Sequence, residues 1–177
     1  MSKILVVVDY QKDFVDGTLG FEKATLLEDG IYNKVKENLK ENNKIIFTYD
    51  THGEDYLSTR EGVNLPVIHC IEGSEGHKLY GKVNQFANVN GVDNIYHINK
   101  QSFGARIEDL KLDNITEIEI CGIVTNMCVI SNAVVFQTKY PNANIIIDAS
   151  CCASFNDELH DKSLDVMEGL QMKVINR

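Results

Sequence analysis

Residues 4–14 read Ile4-Leu5-Val6-Val7-Val8-Asp9-Tyr10-Gln11-Lys12-Asp13-Phe14, five apolar positions in a row that stop at a carboxylate. A strand with one solvated face alternates apolar and polar residues, whereas an unbroken β-branched run fits a strand buried on both faces. Such strands belong to parallel sheets with helices packed on either side. A similar run, Ile45-Ile46-Phe47-Thr48-Tyr49, also stops at an acid, Asp50. Between the two, Ile31, Val35 and Leu39 form one stripe of a helix over 31–39, which ends at Asn42-Asn43.

Further along, strands are expected at 94–98, 118–123, 143–147 and 172–175, with helices at 126–138 and 157–170. The stretch 50–92 is irregular and rich in Gly, His, Asn and Glu, and a connection that long is usually functional. This alternation predicts an α/β fold. The expected form is a single-domain, Rossmann-like three-layer α/β/α arrangement over 1–177, with a six-stranded, mainly parallel sheet.

Composition narrows the function. The 177 residues are 44% apolar and 24% charged, as in an ordinary globular domain, and only Pro66 and Pro141 interrupt the chain. A net charge of −9 argues against a nucleic-acid partner, which requires a basic stripe. The densest basic group, Lys34, Lys36, Lys40 and Lys44, interleaves with Glu37 and Glu41 and reads as a solvated helix face. Five apolar residues behind Met1-Ser2-Lys3 are too few for a signal core or a membrane span. A cytoplasmic protein without a membrane partner is therefore expected. Five cysteines, an odd count, are expected to be free thiols. The adjacent Cys151-Cys152 lack C-x-x-C spacing and are expected in the core.

In open parallel sheets the ligand sits beyond the carboxyl ends of the strands. Asp9, Asp50, Lys100 and residues 125–128 all fall there, while Asp148, ending the fifth expected strand, would cap a turn. Cys128 lies at a strand-to-helix turn, where backbone N–H groups and the helix dipole favour a thiolate and could hold an oxyanion. Taken alone, it reads more readily as a buried cysteine that packs. Asp9 could accept the thiol proton and return it, and Lys100 would keep both groups ionised. Together, at three strand ends, these residues favour a catalytic site. Asp50-Thr51-His52, Glu61 and His69 offer two carboxylates and two imidazoles, a set suited to zinc, manganese or iron(II). Their spacing is loose, and a solvated loop with two incidental histidines is the competing reading. His77, His97 and His160 have no such company and read as structural or surface residues.

These residues resemble the isochorismatase-like cysteine hydrolases and, within them, the nicotinamidases. The resemblance rests on residues 8–14, on Asp50-Thr51-His52, on Leu65-Pro66-Val67-Ile68-His69-Cys70, on Lys100, and on residues 122–129, Gly-Ile-Val-Thr-Asn-Met-Cys-Val. It spans nearly the whole chain in the family's order. It implies that Asp9, Lys100 and Cys128 form a catalytic triad, and that Ile123–Val124 is a cis peptide. The N–H groups of Val124 and Cys128 would then form the oxyanion hole. It implies metal ligation by Asp50, His52 and His69, with Glu61 as the fourth ligand and zinc foremost over manganese or iron. Phe14 would pack on the substrate ring. Two departures are visible: Asn126 stands where many members have Asp, and the chain has no tryptophan to lie on a pyridine ring. Phe103, or Tyr56, is the expected substitute.

The implied reaction is hydrolysis of a small aromatic amide, nicotinamide to nicotinate and ammonia, through a thioester on Cys128, in a homo-oligomer. The alternative within the family is a metal-free amidase or N-carbamoyl hydrolase, which would not need the Asp50/His52/Glu61/His69 set. An isochorismatase proper would not need Cys128. A nucleotide- or flavin-binding module would need a Gly-rich turn after the first strand, where Asp9 and Asp13 stand instead.

Overall fold

The computed structural model describes residues 2–87 and 94–177. Its strands are β1 (Ser2–Val8), β2 (Lys44–Asp50), β3 (Ile95–Lys100), β4 (Ile115–Ile123), β5 (Asn144–Ala153) and β6 (Lys173–Ile175). They form one sheet in the order β3-β2-β1-β4-β5-β6, and every neighbouring pair is parallel. The helices are α1 (Lys12–Val15), α2 (Glu22–Thr25), α3 (Glu28–Lys40), α4 (Arg60–Asn64), α5 (Ile130–Lys139) and α6 (Asp157–Gly169).

The unbroken run in β1 has a direct cause. Leu5 and Val7 point to one face, where they meet Ile45, Phe47 and the α3 residues Ile31 and Val35. Ile4, Val6 and Val8 point to the other, against Ile118, Ile120, Ala133, Phe136, Leu164 and Met167. Strand side chains still alternate, but both faces are covered, so each position must be apolar. Burying each such side chain contributes about 1.5–3 kcal/mol. α3 ends at Lys40; two residues on, Asn42 takes a left-handed φ of +59° that Asn tolerates, and the N–H groups of Asn42 and Asn43 donate back to the carbonyls of Leu39 and Asn38.

Strand order creates the site. After β3 the chain returns to the far side of β1, so the switch in direction falls between β1 and β4, where open α/β sheets bind ligands. Gly122 makes that junction close: it pairs with Val8 at φ +119°, and a Cβ there would stand 2.1 Å from the Val8 carbonyl oxygen. No other residue fits.

Several expectations need correction. β5 runs on to Ala153, so Asp148 lies inside the strand and not at its end. There it accepts hydrogen bonds from Ser150 and Asn176 and pairs with Lys34 at 2.5 Å. Lys34 also meets Glu119 at 2.6 Å, so it leaves the solvated face on which its charge pattern had put it. Cys151 and Cys152 are buried in the core as expected and, as strand neighbours, face opposite sides of the sheet. Residues 50–87 are not structureless: they hold α4 and 3₁₀ turns at Tyr56–Ser58 and Gly81–Phe86, while 88–92 fall outside the described residues. The expected helix over 126–138 is split, with a π-helical turn, Thr125–Val129, before α5.

Candidate active site

Four strand ends meet at the switch point. Asp9 follows β1 with a left-handed φ of +46°. Its Oδ1 accepts a 2.6 Å hydrogen bond from Thr48 Oγ1 in β2, and its Oδ2 lies 2.7 Å from Lys100 Nζ. Asp50 and Lys100 end β2 and β3 in register, so the ammonium also reaches Asp50 Oδ1 at 3.3 Å. Across the switch point it stands 3.5 Å from Cys128 Sγ. All four groups are buried. The structure thus brings together the three residues expected to form a triad, and the Ile123–Val124 peptide is cis.

Burial sets the protonation pattern. It lowers the Lys100 ammonium, but Asp9, Cys128 and Asp50 outweigh that, so Lys100 stays protonated well above its ordinary range. Burial raises the Asp9 carboxyl; Lys100 and Thr48 oppose it, Asp50 adds to it, and the net shift is upward. Burial also pushes the Cys128 thiol well above its ordinary value, with Asp9 adding and Lys100 opposing. Burial thus works against the thiolate that a helix terminus would favour. Cys128 sits in the π turn, closed by Val129 N–H donating to Val124 O at 3.1 Å. The thiol and the Asp9 carboxyl are both shifted toward holding their protons, a pairing suited to proton transfer.

The second constellation assembles around the other oxygen of Asp50. Oδ2 lies 2.9 Å from His52 Nε2 and 3.3 Å from His69 Nε2, and His69 Nε2 is 4.0 Å from Glu61 Oε1. One ligand atom from each of the four lies within 4.8 Å of the others. His69 Nδ1 bonds to the Val67 carbonyl at 2.7 Å, which assigns the proton to Nδ1 and turns the Nε2 lone pair toward the carboxylates. Burial raises the Asp50 carboxyl, but His52, His69 and Lys100 overcome it and hold it well below the usual range. Two imidazole nitrogens and two carboxylates, converging in a buried pocket, fit a borderline divalent cation.

Two groups escaped the sequence reading. Thr48 interrupts an apolar run, and that interruption is its one visible signal. Gln11 is fully buried and uses both ends of its amide: Oε1 accepts from Asp50 N–H at 2.8 Å, and Nε2 donates to the carbonyls of Asp50 and His77, both at 2.9 Å. It extends the hydrogen-bonding of β2 past its end and fixes the backbone from which Asp50 projects.

A cavity of about 650 Å³ opens over these groups, lined by Phe14, Phe103, Val124 and Cys128 together with Asp50, Glu61 and His69. Phe14 is buried, 5.4 Å from the His69 ring, and Phe103 is 39% exposed at the rim. Tyr56, the other aromatic considered, is not in the lining: it backs His52 and His69 at 4.5 and 4.9 Å and donates to the Leu65 carbonyl. Phe21 and Phe155, packed edge to face, form an outer wall that the sequence reading missed.

Residues 3–177 match the Isochorismatase domain family. Over 169 residues the chain is 32% identical to the uncharacterized isochorismatase family protein PncA of Bacillus subtilis (strain 168), spanning 90% of this chain and 91% of that protein. It shares its fold with the crystal structure of the nicotinamidase PncA from Bacillus subtilis at a TM-score of 0.87 and 28% identity, covering 98% of this chain and 99% of that one. The pyrazinamidase/nicotinamidase of Streptococcus mutans UA159 has a TM-score of 0.87 at 25% identity, covering 98% of this chain and all of the other. The chain belongs to the isochorismatase family. Within that family its likeness falls to the nicotinamidase branch.

Proposed function

We propose that this hydrolytic amidase is a nicotinamidase, converting nicotinamide to nicotinate and ammonia through a thioester on Cys128. The observation that carries this reading is the shared cavity: Cys128 faces the same space as Asp50, Glu61 and His69, between Phe14 and Phe103. In this reading a flat aromatic amide would lie among these side chains with its carboxamide toward the thiol. The likeness to nicotinamidases supports the same choice.

In this reading Cys128 attacks the carboxamide carbon as its proton passes to Asp9. Lys100 remains charged between them and balances the carboxylate before transfer and the developing negative charge after it. The Val124 and Cys128 N–H groups would hold the oxyanion. Asp9 then gives its proton to the departing ammonia as the C–N bond breaks, leaving the thioester. Asp9 next takes a proton from a water molecule that attacks the thioester carbon, and nicotinate leaves as the thiol is restored. Asp50, His52, Glu61 and His69 would hold a divalent ion, zinc foremost. Such an ion supplies a Lewis-acidic anchor for a ring nitrogen, and orientation of that kind is worth several kcal/mol of barrier.

The test is ammonia release from nicotinamide, with and without prior chelation. Release that falls on chelation and returns with zinc, manganese or iron(II) supports the reading. No release from metal-loaded protein contradicts it and moves the substrate to another small amide or carbamoyl compound.

A further inference from the structure

We propose that Asn132 is a positioning residue that ties the Phe103 wall of the cavity to the turn bearing Cys128. One side chain then sets both ring binding and thiol alignment. Asn132 lies on the first turn of α5 and is fully buried. Its Oδ1 accepts from Ala105 N–H at 2.9 Å, and its Nδ2 donates to Phe103 O at 3.0 Å and to Cys128 O at 2.8 Å. Both donor hydrogens and the carbonyl are thus engaged, on three backbone points of two segments.

Each segment needs such a tie. Residues 101–106 follow Lys100 without forming a strand or helix, and Phe103 is 39% exposed at the cavity rim. Its position is set by its backbone, which leans on α5 where a Cβ on Gly104 would come within 3.1 Å of Val135. The Cys128 carbonyl belongs to a π turn, whose i+5 hydrogen bonds displace the regular α pattern, and the Asn132 side chain four residues on bonds back to it. An Asn inside a helix is ordinarily unfavourable because it competes with the backbone; here that competing bond is put to use.

This inference rests on the reading of Phe103 as part of the nicotinamide-binding wall. The experiment compares wild type, Asn132→Ser, Phe103→Ala and the double variant with nicotinamide, each first checked for a cooperative melt. Loss of the tie is expected to raise KM about tenfold, the scale of one buried hydrogen bond. Phe103→Ala should raise KM as well, and the double variant no further than the larger single effect, because both act through one wall. Without substrate, iodoacetamide alkylation of Cys128, read by peptide mass, should shift severalfold in Asn132→Ser relative to wild type. A folded Asn132→Ser protein with wild-type KM, or increments that multiply in the double variant, overturns the proposal. If Asn132→Ser does not fold, the near-isosteric Asn132→Asp keeps the acceptor for Ala105, loses both donations and is expected to give the same pattern. In the unmodified protein the Ala105 amide should exchange slowly; exchange at open-loop rates refutes the tie without any variant. Absence of nicotinamide turnover in wild type counts against the functional reading alone, since alkylation and exchange still decide the role of Asn132.

Discussion

Asp50 and Lys100 face each other as the last residues of two parallel strands, and their side chains meet at 3.3 Å. Through this pair the two halves of the site share one carboxylate. Asp50 Oδ1 faces the ammonium that touches Asp9 and Cys128, while Oδ2 faces the two imidazoles. Charge at either half is therefore felt at the other.

Removing the ammonium should be severe. Lys100→Met leaves the buried Asp9 carboxylate without its counter-charge and strips one of three partners from Asp50. Stability should fall by about 3–5 kcal/mol and turnover by about a hundredfold or more. Urea unfolding and steady-state ammonia release read the two effects; a variant as stable as wild type would show that the carboxylates are not held apart by Lys100.

Cys128→Ala should abolish ammonia release while the protein still melts cooperatively, because a small buried side chain is lost beside an existing cavity. Any measurable steady-state turnover in that variant would remove the thiol from the nucleophile's role.

The Thr48 hydroxyl stabilises the ionised form of Asp9 and so opposes the upward shift that burial imposes. In Thr48→Val the Asp9 pKa should rise further. Asp9 acts as a base in its ionised form, so the acid limb of kcat/KM should move to higher pH. A profile that stays put, or moves toward acid, would assign that limb to another group.

His52→Ala removes a donor from the cluster, and Gln11→Leu leaves the donors but frees the Asp50 backbone. Both variants should lose metal to a competing chelator, Gln11→Leu with an affinity about 10–100-fold weaker, the usual effect of removing a group that orients a ligand. Elemental analysis after dialysis checks both. Unchanged metal in His52→Ala would place any bound ion elsewhere.

Far from the site, the Lys34–Asp148 pair should mark the acid stability of the fold. Burial raises the Asp148 carboxyl, but Lys34, Ser150 and Asn176 outweigh it and leave it below its ordinary 3.8. A depressed carboxyl contributes stability that is present above its unfolded value and lost as pH falls through the folded one. Asp148→Asn should cost about 1–3 kcal/mol at pH 7 and progressively less below about pH 4. Thermal melts of both proteins across that range test it; a difference independent of pH would mean that the charge contributes nothing.

Much of this was legible in the residues. The β1 and β2 runs, the Ile31/Val35/Leu39 stripe and the strand-end acids required only local periodicity, which one chain segment carries within itself. Asp9, Asp50, Lys100 and Cys128 could be chosen because a parallel sheet delivers its strand ends to one edge. Lys34 and Asp148 were misread because their partner lies on another element, and helical charge spacing carries no record of it. Gln11, Thr48 and Asn132 were not singled out, since an amide or hydroxyl looks the same whether it meets water or a distant backbone.

The sequence by itself determined the class of fold and the chemical types gathered at one sheet edge, because burial on two faces forces an unbroken apolar run. The tertiary structure alone decided burial and aim. Whether Cys128 rests as thiol or thiolate depends on how completely water is excluded around it, and on charges contributed by three other strands. Desolvation is a property of the packed whole, and no segment contains it.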